Sequence, residues 1–167
     1  YSGIGKTTLV KKTLFYKAKS EGNFISGKYD PVHNNPHEAI VQAFSDLVTQ
    51  LVANTKDKDL WKKRLSKALY PNADLISHFI PNLAQLMGVQ NSLTSSAIEQ
   101  EKNRIFQCII DFVTCISSHE KKPVIIFLDD IHRANTESLS LIKHIMNAKP
   151  SYILLIGAFR NNECPID

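Results

Sequence analysis

Two short stretches, Val124-Ile125-Ile126-Phe127-Leu128 and Tyr152-Ile153-Leu154-Leu155-Ile156, carry no polar interruption and are bounded by Pro123 and Pro150. Continuous, β-branched runs of this length predict strands buried on both faces. Between them Asn135 is placed to cap a helix that carries Leu139, Ile142, Ile145 and Met146. A strand, a helix and a second strand joined this way predict a parallel pair with a right-handed crossover. The class is α/β.

Elsewhere the apolar positions recur at helical spacing. A helix opens at Gly5 and runs to about Lys19, with Leu9, Val10, Leu14 and Phe15 on its buried face. A short strand over Asn23–Ser26 is expected to end at Gly27, with loop from Lys28 to Asn35. At Asn35-Pro36-His37-Glu38 a cap, a proline suited to the first helical position and an acid three residues on coincide. The helix they open presents Ile40, Val41, Phe44, Leu47, Val48, Leu51 and Val52. Shorter helices follow at Leu60–Leu69 and Asp74–Met87, the second interrupted at Pro81 and closed by Gly88. A long one runs from about Ala97 to Ser118, with Ile105, Phe106, Ile109, Phe112, Val113 and Ile116 inside.

With 167 residues, 43% of them hydrophobic and 22% charged, the chain fits one domain with a true core. The formal charge of +4 is mild, and the basic residues are dispersed. Clusters such as Lys62-Lys63-Arg64 read as solvated helix faces, so no nucleic-acid partner is expected. No apolar run approaches the roughly 20 residues that span a bilayer, so no membrane contact is expected. Cys108 and Cys115 are seven residues apart on a helix, about 10 Å, beyond disulfide reach. They read as small buried hydrophobes; with Cys164 near the chain end, a reducing, cytoplasmic setting is expected.

The chemistry lies in Ser2-Gly3-Ile4-Gly5-Lys6-Thr7-Thr8. Backbone N–H groups turned inward by a glycine loop, followed at once by a helix N-terminus, cradle a polyphosphate. Lys6 would reach the β- and γ-phosphates, and the Thr7 hydroxyl would hold Mg²⁺. Gly3, Ile4, Gly5, Lys6, Thr7 and Thr8 are therefore the expected ATP-binding residues. The first glycine of the full Gly-x-x-x-x-Gly-Lys-Ser/Thr pattern would stand one position before Tyr1. The chain is accordingly expected to be a piece of a larger ATPase, lacking the strand before the loop and the lid after the domain.

Hydrolysis also needs a held metal and a polarised water, and a hydrophobic strand ending in acid supplies both. After Leu128, Asp129 is the expected Mg²⁺ ligand and Asp130 the expected general base. Arg160, just past the second apolar run, is placed to sense the γ-phosphate, and His132 follows the acidic pair closely enough to approach the nucleotide. His33 and His37 do not share a helical face, because Pro36 starts the helix between them.

The segments Tyr-Ser-Gly-Ile-Gly-Lys-Thr-Thr-Leu-Val, Phe-Leu-Asp-Asp-Ile-His-Arg-Ala and Leu-Leu-Ile-Gly-Ala-Phe-Arg-Asn-Asn-Glu together resemble the AAA-type ATPase module of large signalling proteins. It is similar to the origin-recognition-like and signal-transducing (STAND) P-loop ATPases, where it sits between a protein-kinase-like domain and sensor histidine-kinase domains. The resemblance implies a partial AAA domain over 1–167, with Walker A at 3–8, Walker B at 124–130 and a sensor strand at 152–160. It implies a P-loop NTPase three-layer α/β/α sandwich on a parallel sheet, incomplete, with a helical insert between its second and third strands. Lys6, Asp130 and Arg160 would be catalytic, Thr7 and Asp129 would hold the metal, and ATP and Mg²⁺ would be the cofactors. Family members often carry Gln-Trp-Ala-Asp where this chain has His132-Arg133-Ala134-Asn135. Motor-type relatives use Glu as base, so the shorter Asp130 points to slow turnover suited to a switch. Other domains of the same polypeptide are the implied partners, with homo-oligomerisation left open. A non-hydrolysing ATP-binding scaffold and a DNA-handling ATPase remain alternatives; the guanine-reading Asn-Lys-x-Asp and the transporter Leu-Ser-Gly-Gly-Gln are absent.

Overall fold

The computed structural model describes residues 5–16, 21–30, 37–53, 57–89 and 101–160. Gly3, Ile4, His33, Asn35 and Cys164, all named above, lie outside them. Helix α1 (Lys6–Val10) continues as a wider π turn over Lys11–Phe15 and is followed by β1 (Asn23–Lys28). Helices α2 (Glu38–Ala53), α3 (Lys58–Ala68), α4 (Ala73–Phe79), α5 (Pro81–Met87) and α6 (Lys102–Glu120) come next. Strand β2 (Val124–Asp129), a 3₁₀ turn at Ile131–Arg133, α7 (Thr136–Asn147) and β3 (Ile153–Gly157) complete the order. The strands form an open parallel sheet, β1-β2-β3, with helices packed against it.

Strand β2 is the central strand, buried on both faces as its sequence requires. Successive side chains point to opposite faces. Val124, Ile126 and Leu128 join Ile25 and the inner faces of α2, α6 and α7 in the main core, while Ile125 and Phe127 join Phe24, Ala158, Val10 and Leu14 on the other side. The insert of α3, α4 and α5 closes over the main core with Trp61, Leu65, Ile76 and Leu83.

Several expectations need correction. Strand β3 is only partly buried, with Leu154 at 47% exposure, because its outer edge has no neighbour among the described residues. Tyr152 precedes the strand, at a φ of 62°, instead of starting it. Leu9 and Phe15 are exposed, and Val10 and Leu14 alone of the predicted face are partly buried against the sheet. On α7 the inward positions are Ser138, Leu141 and Ile145, with Ile142 packed beside them, while Leu139 and Met146 face outward. Gly27 does not end β1 but lies within it, where a Cβ would sit 1.8 Å from the Ala39 carbonyl oxygen. Glycine lets α2 pass that close.

Helix α2 also shields the outer edge of β1. Gln50 Nε2 donates to the Phe24 carbonyl at 3.0 Å, and the Lys28 N–H points to Gln42 Oε1 at 3.4 Å. Backbone groups left open on an edge strand are thereby partly satisfied by side chains.

Candidate functional site

The strand register brings the chemistry to one end of the sheet. Lys28 pairs with Asp129 across β1 and β2, and Leu128 pairs with Gly157 across β2 and β3. The three carboxyl ends therefore finish level, which is where open parallel sheets hold their ligands. Backbone bonds fix the loops beyond: Tyr29 N–H to the Asp129 carbonyl at 3.1 Å, and Ile131 N–H to the Ala158 carbonyl at 2.9 Å.

From below, α1 brings its first turn to this edge. Gly5 caps it in a left-handed conformation, φ 84°, which costs glycine little. Lys6 and Thr8 are exposed at the helix start, and Thr7 is half-buried. The Thr7 hydroxyl donates to Asp129 Oδ2 at 2.7 Å, across 122 residues of sequence. A hydroxyl and a carboxylate oxygen in contact are hard oxygen donors of the type Mg²⁺ takes. Among the described residues no group of three or more His, Cys, Asp or Glu could cage a metal. Mg²⁺ does not require one, since it binds through one or two protein oxygens, water and substrate phosphates.

Asp130 is nearly buried and adopts a left-handed φ of 52°. Its N–H donates to Asp129 Oδ1 at 3.0 Å, which ties the two acids into one turn, and its carbonyl accepts from Arg133 N–H at 2.9 Å. Arg160 Nε lies 3.4 Å from Asp130 Oδ1, and Lys28 Nζ lies 3.7 Å from Oδ2. The carboxylate thus stands between two cations, one from the end of β1 and one from beyond β3.

Of the residues singled out from the sequence, Thr7 with Asp129 and Asp130 with Arg160 are brought into contact. Lys6 is solvent-facing at the same edge. His132 sits in the 3₁₀ turn, where its Nε2 is 3.3 Å from Arg133 Nε. Lys28 was missed: it lay in a segment read as loop, and only the register places it beside Asp130.

The family model described as "AAA ATPase domain" matches residues 1–156. The chain belongs to the AAA ATPase domain family. It is also similar to hybrid signal transduction histidine kinase G of Dictyostelium discoideum, 31% identical over 148 residues, which cover 88% of this chain and 4% of that protein. The chain therefore spans a small part of the curated relative it matches. No solved structure matches significantly. Both matches agree with the resemblance carried by the glycine loop and the Asp129-Asp130 strand end, and the open parallel sheet is that of an incomplete P-loop NTPase fold. An AAA ATPase domain carries nucleotide binding and ATPase-type function. No helix among the described residues is long and apolar enough to cross a membrane.

Proposed function

We propose that this AAA ATPase domain binds ATP with Mg²⁺, hydrolyses it slowly, and acts as a nucleotide-controlled switch within a multidomain signal-transduction polypeptide. The observation that carries this reading is the 2.7 Å contact between Thr7 and Asp129. It joins the helix start that would meet the phosphates to the strand end that would hold the metal.

In this reading Gly3, Ile4, Gly5, Lys6, Thr7 and Thr8 wrap the phosphates, with the α1 dipole directed at them. Thr7 and Asp129 hold Mg²⁺, which when bound would neutralise charge on the phosphates. Asp130 takes the proton of the attacking water, and Arg160 answers to the terminal phosphate. Lys28 joins this group as a positioning residue, since its ammonium and the Arg160 guanidinium orient the Asp130 carboxylate. The domain would occupy residues 1–167. The signalling context draws on the relative's histidine-kinase name, and the buried free thiols of Cys108 and Cys115 favour a cytoplasmic setting.

A second reading, an ATP-binding scaffold without appreciable turnover, is favoured by one feature. Both oxygens of the Asp130 carboxylate face cations, Arg160 at Oδ1 and Lys28 at Oδ2, so an attacking water would have to compete with them for it. Single-turnover hydrolysis separates the two readings. With Asp130→Asn, the enzyme reading expects cleavage to fall about 100-fold or more with ATP affinity retained. No cleavage by the unaltered chain leaves the scaffold, and cleavage that Asp130→Asn does not slow removes Asp130 as the base. The switch is tested separately: if ATP and ADP give the multidomain protein the same scattering profile and the same signalling output, it fails.

A further inference from the structure

Away from the sheet edge, α3 and α6 form the walls of an open valley of about 440 Å³. Arg64, Lys67 and Ala68 line one side, and Thr114, Cys115 and Ser118 the other. The spacings are those of a single helical stripe on each wall, so the valley follows α6 for about 10 Å, roughly two turns. A groove between two packed helices is the shape that receives the ridge of a third.

Its charge narrows the occupant. Of the five cations on α3, two, Arg64 and Lys67, line the valley, and the helix carries one acid, Asp59. Among the described residues no carboxylate forms an ion pair with Lys62, Lys63, Arg64 or Lys67. Asp111, an acid on the valley wall, instead accepts from Gln107 Nε2 at 2.9 Å. Arg64 is held in place, its guanidinium 5.2 Å from the centre of the buried Trp61 ring. A stacked guanidinium gives up less freedom when it binds a carboxylate than a free lysine does. The floor, Ala68 and buried Cys115, offers small apolar contacts.

We propose that this valley docks an acidic amphipathic helix of a protein. Its apolar side chains would rest on Ala68 and Cys115, and its carboxylates would meet Arg64 and Lys67. A nucleic-acid backbone would gain nothing from the apolar floor. The proposal is independent of the nucleotide site.

Trp61 is the chain's single tryptophan, and its ring centre lies 6.4 Å from that of His119 on the valley's rim, so its fluorescence reports occupancy. The full chain would be titrated with a synthetic helical peptide bearing Glu on one face and Leu on the other. Parallel titrations would use the same peptide with Lys for Glu, a short DNA duplex, and phosphatidylserine vesicles. The expected result is a saturable shift of Trp61 emission with the acidic peptide alone. Lys67→Glu should weaken it about fivefold or more, and the exposed Lys143→Glu on α7 should leave it unchanged. Lys67 is exposed, so its reversal should leave the far-ultraviolet dichroism intact. Should that variant misfold, Lys67→Gln carries the same comparison. No response to the acidic peptide, an undiminished response in the Lys67 variants, or an equal response to DNA or vesicles would each overturn the proposal.

Discussion

The Asp130 carboxylate has a cation on either side, Arg160 at 3.4 Å and Lys28 at 3.7 Å. Lys28 ends β1 and Arg160 lies beyond β3, so the geometry of this one residue depends on the whole sheet edge. Thr7 is the simpler case. Replacing its hydroxyl by a methyl group in Thr7→Val removes the donor to Asp129. Mg²⁺-supported ATP affinity should then fall about tenfold or more, whereas binding in the presence of a chelator should be unchanged, as measured by calorimetry. Cys108 offers a pH test. Burial, with a smaller contribution from the Asp111 charge, pushes its thiol from 9.0 to about 11. Between those values the folded chain keeps a proton that the unfolded chain has lost. The stabilisation is therefore complete below about pH 9 and disappears towards about pH 11. Denaturant melts should show the parent losing more stability than Cys108→Ala over that window, and equal losses would contradict it.

At the scale of elements, hydrophobic periodicity read helices better than it read their faces. The interiors of α2 and α6 agree with the sequence because an unbroken stripe leaves one way to bury it. On α7 the stripe was ambiguous. Leu139 and Met146 were as apolar as Leu141, and only the approach of α6 and β2 selected Leu141 and Ile145. Gly27 shows the same limit: in sequence it resembles a strand end, but it is the point where α2 crosses β1. Gly27→Ala should force the two apart and cost about 2 kcal/mol, measurable as a lower urea midpoint with little change in slope.

For the molecule as a whole, the proposed phosphate site joins α1 to β2, and the ion pairs around Asp130 join β1 to the segment after β3. A ligand gripping both should stabilise the folded chain by linkage. Mg-ATP at about a hundredfold excess over its Kd should add about 2.7 kcal/mol, seen as a rise in Tm, and Lys6→Ala should abolish the rise. A rise that survives Lys6→Ala would detach nucleotide binding from the glycine loop.

The order of residues alone determined that β2 and β3 are parallel, that the 124–128 run is buried on both faces, and that a glycine-lysine-threonine turn opens a helix. Each of these follows from local chemistry: β-branched runs, a connection too long for a hairpin, a loop able to turn its N–H groups inward. Tertiary structure alone decided that Thr7 meets Asp129, that Lys28 belongs beside Asp130, and that Arg64 and Lys67 of α3 line a valley against α6. Contacts across such distances in sequence are set by strand register and by how closely a helix can approach, and no single segment contains either.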